Sequence, residues 1–282
     1  MKITLTGSAG FIGSHYLKRA QQDCQIIGFD KKFGQDVELI DYLPDCDAVV
    51  HMAATNGTRL FYEQPTDIIV NDTRATFRIA ERYQDTNTKI VFTSSCEIFN
   101  GAIDRGYYDI PTDEAVRVVF DDILNPRWSY SLPKAMGENL IANLGNPWLI
   151  IRYFNIYGPG QTDHFINEFV SRVLNGEYYI NGNNTRSFCY IDDAVEMTHS
   201  LVTKHQNLIV NVGRTEEYHI STVAKEIMKL MNIDPDRLEI RSSPKGSVHR
   251  RCPDTALVKS LTGFDDYTDL SAGLTKTIES LL

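Results

Sequence analysis

A short β run, Lys2-Ile3-Thr4-Leu5, passes directly into Thr6-Gly7-Ser8-Ala9-Gly10-Phe11-Ile12-Gly13, and an amphipathic stretch continues from Phe11 to Ala20. A strand that turns through three glycines into a helix leaves the chain few folds to choose from. Gly7 permits the tight turn, Gly10 lets the backbone approach a pyrophosphate, and Gly13 lets the helix pack against the strand. The first helical amides, at Phe11, Ile12 and Gly13, then face the phosphates. The next strand pattern, Gln25–Phe29, ends on Asp30. A carboxylate there accepts hydrogen bonds from both hydroxyls of an adenosine ribose and repels a 2′-phosphate, so the expected cofactor is NAD. Lys31 and Lys32 follow it and could pair with that phosphate, which keeps NADP open.

Further apolar runs at Ala48–His51, Lys89–Thr93 and Trp148–Tyr153 alternate with helical patterns, the clearest from Asp67 to Tyr83. This predicts an α/β fold, a doubly wound parallel sheet of Rossmann type with a smaller mixed α/β substrate-binding lobe. The span from Asp30 to His51 is short for a strand–helix–strand unit, so a trimmed element is expected, with Asp36 and Val37 near the adenine. After Tyr153, Gly, Asn and Pro become frequent. The expected division is 1–154 as the nucleotide-binding domain, with 186–213 returning to it, and 155–185 with 214–282 as the smaller lobe. Leu208–Val212 reads as a buried strand, and Ser221 to Met231 as a helix capped by its serine.

The chain has 282 residues, 42% of them hydrophobic, enough for one large core or two joined lobes. Its formal charge of -9 includes no basic run able to track a phosphate backbone, so nucleic acid is not an expected partner. Five cysteines lack metal-ligand spacing, the seven histidines are dispersed, and no metal site is expected. The odd cysteine count fits reduced thiols. No signal peptide and no membrane-length apolar run can be read, so the expectation is a soluble, cytoplasmic protein with no membrane partner.

Chemistry enters at Tyr130-Ser131-Leu132-Pro133-Lys134. A tyrosine and a lysine four apart share a helix face, and a nearby ammonium lowers a phenol's pKa toward the range of a base. Lys134 could also hold a nicotinamide ribose. Phe92-Thr93-Ser94-Ser95 ends a strand, which turns a serine toward the cofactor.

With these pieces in order, the chain resembles the extended short-chain dehydrogenases that modify nucleotide sugars, the NAD-dependent epimerase/dehydratase family. The resemblance runs through TGSAGFIG at the start, HMAA at His51–Ala54, SSCEIFN at Ser94–Asn100 and YSLPK at Tyr130–Lys134. It continues through RYFNIYGPGQ at Arg152–Gln161, NTRSFCYIDDA at Asn184–Ala194 and NVG at Asn211–Gly213. It implies that Ala53 and Ala54 border the cofactor and that the substrate is a nucleotide-diphosphate sugar. Tyr130 would take the proton of the sugar's 4-hydroxyl, Ser95 would bond the same oxygen, and Lys134 would orient the cofactor. A transient 4-keto sugar results, and its neighbouring carbon is acidified.

Which branch follows depends on Cys96 and Glu97. Related dehydratases carry an Asp-Glu pair there, acid decarboxylases a glutamate in the second slot, and simple 4-epimerases two inert residues. Epimerisation is the favoured expectation, with dehydration or uronic-acid decarboxylation using Glu97 and Cys96 close behind. A catalytically idle NAD-binding regulator and a one-way reductase complete the field. A buried neutral Cys96 and a solvated or ion-paired Glu97 are the plain alternatives.

The resemblance further implies that Arg186 and Arg250 clamp the diphosphate, with Arg251 in place of Arg250 if the register differs. Asn155 would touch the substrate, and Phe165 and Ile166 would flank the base. Arg152 reads as structural, His51 as packing near the cofactor, and Asp192-Asp193 as a helix cap. Pro133 requires a helix that starts close to Tyr130. Phe99-Asn100 stands where Tyr-Gly is usual, and Trp128 either walls the sugar pocket or packs the core. Relatives pair through two helices, here Asp67–Tyr83 and Tyr130–Leu144, implying a homodimer. Ala75, Ile79 and Ala80 suit that contact or a buried monomer helix equally.

Overall fold

The computed structural model describes residues 1–39, 42–243 and 248–282. Five strands build the sheet in the first half of the chain: β1 (Lys2–Thr6), β2 (Gln25–Phe29), β3 (Ala48–His51), β4 (Lys89–Ser95) and β5 (Trp148–Tyr153). Short strands follow, β6 (Ile156–Tyr157), β7 (Tyr179–Asn181), β8 (Thr185–Ser187) and β9 (Cys189–Tyr190). Then come β10 (Leu208–Val212), β11 (Glu217–His219) and β12 (Glu239–Arg241). The six-stranded sheet runs β10-β5-β4-β3-β1-β2, every pair parallel. Ile90-Val91-Phe92 and Leu149-Ile150-Ile151 are buried without alternation, as expected of strands covered on both faces.

The helices are α1 (Phe11–Ala20), α2 (Thr58–Glu63), α3 (Pro65–Tyr83), α4 (Asn100–Asp104) and α5 (Trp128–Ala142) in the first half. The second half adds α6 (Phe165–Leu174), α7 (Ile191–Lys204), α8 (Ile220–Leu230), α9 (Ala256–Thr262) and α10 (Leu270–Glu279). The pair α3 and α5 packs together, as does the pair α1 and α7. Between β2 and β3 the described residues hold one tight helical turn, Lys31–Phe33, which agrees with the trimmed element expected there. The chain leaves β1 toward β2 and then crosses to β3 on β1's other side. That reversal opens a crevice at the carboxyl ends of the strands.

Several local expectations change. Ser221 does not cap α8: the helix begins at Ile220, and the Ser221 N–H donates to Asn183 Oδ1 at 2.9 Å. Asp192 and Asp193 lie inside the first turn of α7, whose cap position is Tyr190. Asp193 instead accepts from the Thr268 N–H and hydroxyl, at 2.9 and 2.7 Å. Helix α5 starts at Trp128, so Pro133 falls in its second turn and not its first. Ala75, Ile79 and Ala80 are buried in this chain's own core, which removes them from any surface between copies. All five cysteines are free thiols, and no helix among the described residues is long and apolar enough to cross a membrane.

Candidate active site

The crevice is a cleft of about 920 Å³ between the sheet's carboxyl edge and the short-stranded second half. At one end Gly7 sits at φ +74°, where a Cβ would lie 2.7 Å from the Ala53 nitrogen. A Cβ on Gly13 would lie 2.0 Å from the Gly7 oxygen. These glycines therefore bring strand, turn and helix closer than any side chain allows. Gly10, Phe11, Ile12, Ala53 and Ala54 line the same end, with Asp36 and Val37 beside them. Asp30 is buried at the tip of β2, its Oδ2 accepting from the Ala9 N–H and its Oδ1 from the Lys32 N–H, both at 2.9 Å. The Lys32 ammonium donates to the Ala9 carbonyl at 3.1 Å, so it is already engaged on the glycine turn. His51 packs beneath, bonded through Nδ1 to the Thr6 hydroxyl at 2.7 Å, and burial brings its pKa down to about 3.

Ser95, at the end of β4, and Tyr130 and Lys134, on α5, converge on the middle of the cleft. The Ser95 hydroxyl accepts from the Glu97 N–H at 3.2 Å, and the Tyr130 ring stacks on Phe61 with centroids 5.0 Å apart. Lys134 Nζ donates to the Thr93 carbonyl at 2.9 Å and lies 5.6 Å from the centre of the Tyr130 ring. The expected lowering of the Tyr130 pKa is reversed. Burial pushes it up, Asp72, Glu97 and Cys96 add to that, and the Ser95 hydrogen bond opposes. The physical reason is burial of the phenol first and the neighbouring carboxylates of Asp72 and Glu97 next. Burial also lowers the pKa of Lys134, against Asp72 and Glu138, which raise it.

Glu97 is caged. Its carboxylate accepts from Arg127 Nη2 at 3.1 and 3.2 Å, from Arg251 Nη2 at 2.6 Å, and from Asn100 Nδ2. Burial alone would raise its pKa, but Arg251 and Arg127 bring it down to about 2. Cys96, beside it, is a buried thiol whose pKa burial pushes up. Arg186 also lines the cleft and donates to the carbonyls of Thr185 and Val248, at 2.6 and 2.8 Å.

Arg250 does not line the cleft. It is exposed and pairs with Glu217 at 2.6 Å, and its neighbour Arg251 takes the inward place. Residues 249–251 run extended beside β8, with Thr185 N–H on the His249 carbonyl and Ser187 N–H on that of Arg251. Successive side chains on an extended segment point to opposite faces, so only one of the two arginines can point in.

Asn155, at φ +40°, lines the cleft with its Nδ2 buried and unpartnered, and Phe165 and Ile166 line it nearby. Trp128 is core, edge-on to Phe120 with centroids 5.3 Å apart and outside the cleft lining. Arg152 forms a buried pair with Glu138 at 2.7 Å. Asp72 and Arg127 were not singled out from sequence. Asp72 had a readable signal, an acid on the buried stripe of Ile68, Ala75 and Ile79; Arg127 had none. Among the described residues Asp23, Cys24 and His199 also come together, away from the cleft lining, with Arg19 bonded to Asp23 at 3.1 Å.

A Rossmann sheet whose glycine cradle leads to a serine, a tyrosine and a lysine defines a nucleotide-dependent oxidoreductase site. The profile described as "NAD dependent epimerase/dehydratase family" matches residues 3–213, and the chain belongs to that family. It is similar to a UDP-N-acetyl-alpha-D-glucosaminuronate decarboxylase of Bacillus cytotoxicus, 29% identical with 98% of this chain and 96% of that protein covered. UDP-glucuronic acid decarboxylase 6 of Arabidopsis thaliana is 24% identical, covering 97% and 87%. Among solved structures, a UDP-glucuronic acid 4-epimerase from Bacillus cereus, in complex with UDP-glucuronic acid and NAD, superposes with a TM-score of 0.86. That match is 22% identical and covers 100% of this chain and 99% of the other.

Proposed function

We propose that this enzyme oxidises C4 of a nucleoside-diphosphate sugar bearing a C6 carboxylate, and that the resulting 4-keto uronate loses carbon dioxide. The observation that carries this reading is the similarity along nearly the whole chain to decarboxylases of UDP-linked uronates. Beyond Ser95 the guanidiniums of Arg127, Arg186 and Arg251 face one carboxylate, Glu97, a positive surplus that the diphosphate of any nucleotide sugar draws on and that also suits a carboxylate on the sugar.

The glycine cradle, the Asp30 carboxylate and the open first turn of α1 fit a dinucleotide with unphosphorylated ribose. NAD bound there supplies a hydride acceptor that later returns what it took. Gly7 to Gly13 would hold its pyrophosphate, Asp30 the adenosine ribose, Asp36 and Val37 the adenine, and Tyr130 and Lys134 the other ribose. Tyr130 receives the proton of the 4-hydroxyl while the Ser95 hydroxyl holds that oxygen. Lys134, 5.6 Å from the centre of the phenol ring, works against the rise that burial and Asp72 give the Tyr130 pKa in the free protein. A 4-keto uronate is a β-keto acid, so its loss of carbon dioxide requires no base at C5; the electron pair of the broken C5–C6 bond passes into an enolate, which takes its C5 proton from water. Glu97, with a pKa of about 2, is a feeble base and holds no proton to give a leaving hydroxyl. This argues against dehydration.

The same caged Glu97, with a neutral thiol at Cys96, favours one second reading: C4 epimerisation of the uronate, which needs no acid–base pair beside the ketone. The test is incubation with UDP-glucuronate and UDP-N-acetylglucosaminuronate labelled with carbon-13 at C6, followed by NMR. Release of labelled carbon dioxide supports decarboxylation, and retained label with inverted C4 supports epimerisation. Equal turnover of neutral UDP-glucose would overturn the carboxylate reading. Pairing of two copies through α3 and α5 belongs to the same proposal, and the mass in solution tests it.

A further inference from the structure

Asp72 lies on the face of α3 that packs toward the sheet, between Ile68 and Ala75, and is only 5% exposed. Its Oδ1 accepts from the Thr55 N–H at 2.8 Å, while its Oδ2 is buried and has no hydrogen-bond partner. A buried carboxylate with half its acceptor capacity unused is costly unless a positive charge is close. The cleft wall supplies one. Lys134, on the packed neighbour α5, is 4% exposed and uses one of its three protons on Thr93.

We propose that Asp72 is the counter-charge of Lys134, a positioning residue that keeps the ammonium protonated in a water-poor cleft and thereby sets the pH range in which Tyr130 exchanges its proton. This rests on the reading of Tyr130 and Lys134 as the proton-transfer pair. The electrostatics run in both directions. After burial, which lowers it, Asp72 leads the groups that raise Lys134, ahead of Glu138; burial raises Asp72 on balance, and Lys134 leads the groups that oppose that rise. The other charged groups facing this pair are few. Tyr130 on α5 is held up by burial and then by Asp72, and Lys31 beyond β2 acts on Asp72 from outside. Glu38 is raised by burial, by Asp36 and, more weakly, by Asp72. His51, the last residue of β3, is neutral and reaches Asp72 through Thr76, whose hydroxyl donates to the Asp72 carbonyl at 2.8 Å. Glu138, one turn further along α5, is paired with Arg152 at 2.7 Å, which leaves Asp72 as the anion acting on Lys134 without a guanidinium of its own among those named here.

Asp72→Asn keeps the side chain's size and its acceptor for Thr55 while removing the charge. Both Lys134 and Tyr130 then lose an anionic neighbour, so both pKa values fall and both limbs of the pH–rate profile move to lower pH. A residue that only holds α3 in place would lower stability without moving either limb. The direct test is an NMR titration of the purified holoenzyme carrying carbon-13 at lysine Cε, with the Lys134 signal assigned by its loss in Lys134→Met. The expected result is a Lys134 pKa lower by about one to three in D72N, recovered in Asp72→Glu. An unchanged Lys134 pKa in a folded D72N protein would overturn the proposal. Should D72N not fold, Lys134→Met must raise the pKa of the Asp72 carboxyl, read from its own carbon-13 signal, and an unmoved carboxyl is equally fatal. No substrate enters either titration, so a wrong sugar assignment leaves the result intact.

Discussion

Replacing Glu97 by glutamine tests the caged carboxylate, because glutamine has the shape of the protonated acid without its charge. In the folded chain the Glu97 pKa stands at about 2 against an ordinary 4.5. At about 1.4 kcal/mol per pH unit, that depression stabilises the folded state by about 3 kcal/mol at neutral pH. A second route gives a similar size: removing one charge of a buried pair costs about 3–5 kcal/mol, since here Arg127 and Arg251 are left facing each other. The sign follows from a lowered folded pKa. The contribution is complete above 4.5 and is lost as the pH falls through about 2, because the unfolded carboxyl takes up its proton first. Urea unfolding of wild type and E97Q is therefore expected to differ by about 3 kcal/mol at pH 7, with the gap narrowing below pH 4.5 as wild type approaches the variant. A gap below about 1 kcal/mol at neutral pH, the range of a surface pair, would refute the cage, as would a gap that ignores pH.

Four other substitutions separate roles. Tyr130→Phe is expected to keep the fold and the bound NAD while lowering turnover by about 10²–10⁴-fold, checked by single-turnover kinetics and cofactor content. Arg251→Met should raise the KM for a uronate at least about tenfold and destabilise the chain, since it strips one partner from Glu97. Arg250→Met removes only an exposed pair with Glu217, so stability should change by less than about 1 kcal/mol and KM not at all. Gly7→Ala forces a side chain into a left-handed conformation 2.7 Å from the Ala53 nitrogen. It should cost about 1–3 kcal/mol in a thermal melt and release NAD, measured by absorbance of the denatured supernatant.

The sequence was most legible where physics is local. A glycine turn between strand and helix needs only adjacent residues, and strands buried on both faces announce themselves as apolar runs such as Leu149-Ile150-Ile151. The family motifs brought Ser95, Tyr130 and Lys134 to one cleft in the same way. Long-range electrostatics left no such trace. The partners of Glu97 come from Arg127, at the start of a helix, and from Arg251, near the other end of the chain. No spacing rule links those positions. The choice between Arg250 and Arg251 was equally hidden, because it depends on how an extended segment pairs with β8. Tyr130 shows the same limit from another side: the helical spacing to Lys134 was right, but the phenol responds to burial and to Asp72, which only the folded cleft brings beside it. Ser221 had the right residue type for a cap, two positions after the cap residue His219.

The sheet's last strand has a consequence for how this protein can be divided. β10 joins the edge of β5 only after the chain has left the sheet, built the short strands and α6, and returned through α7. A fragment cut after Phe154 would hold the glycine turn, Ser95, Tyr130 and Lys134, yet its sheet would stop at β5 with a row of unpaired backbone groups beside fully buried leucine and isoleucine. Such a fragment is expected to aggregate rather than bind a nucleotide on its own. Two pieces split near residue 206 would meet the same fate until the second supplied its strand. For anyone wishing to swap sugar specificity between relatives, the exchangeable parts are thus the loops and short strands around the cleft, with β10 kept in register as part of the nucleotide-binding half.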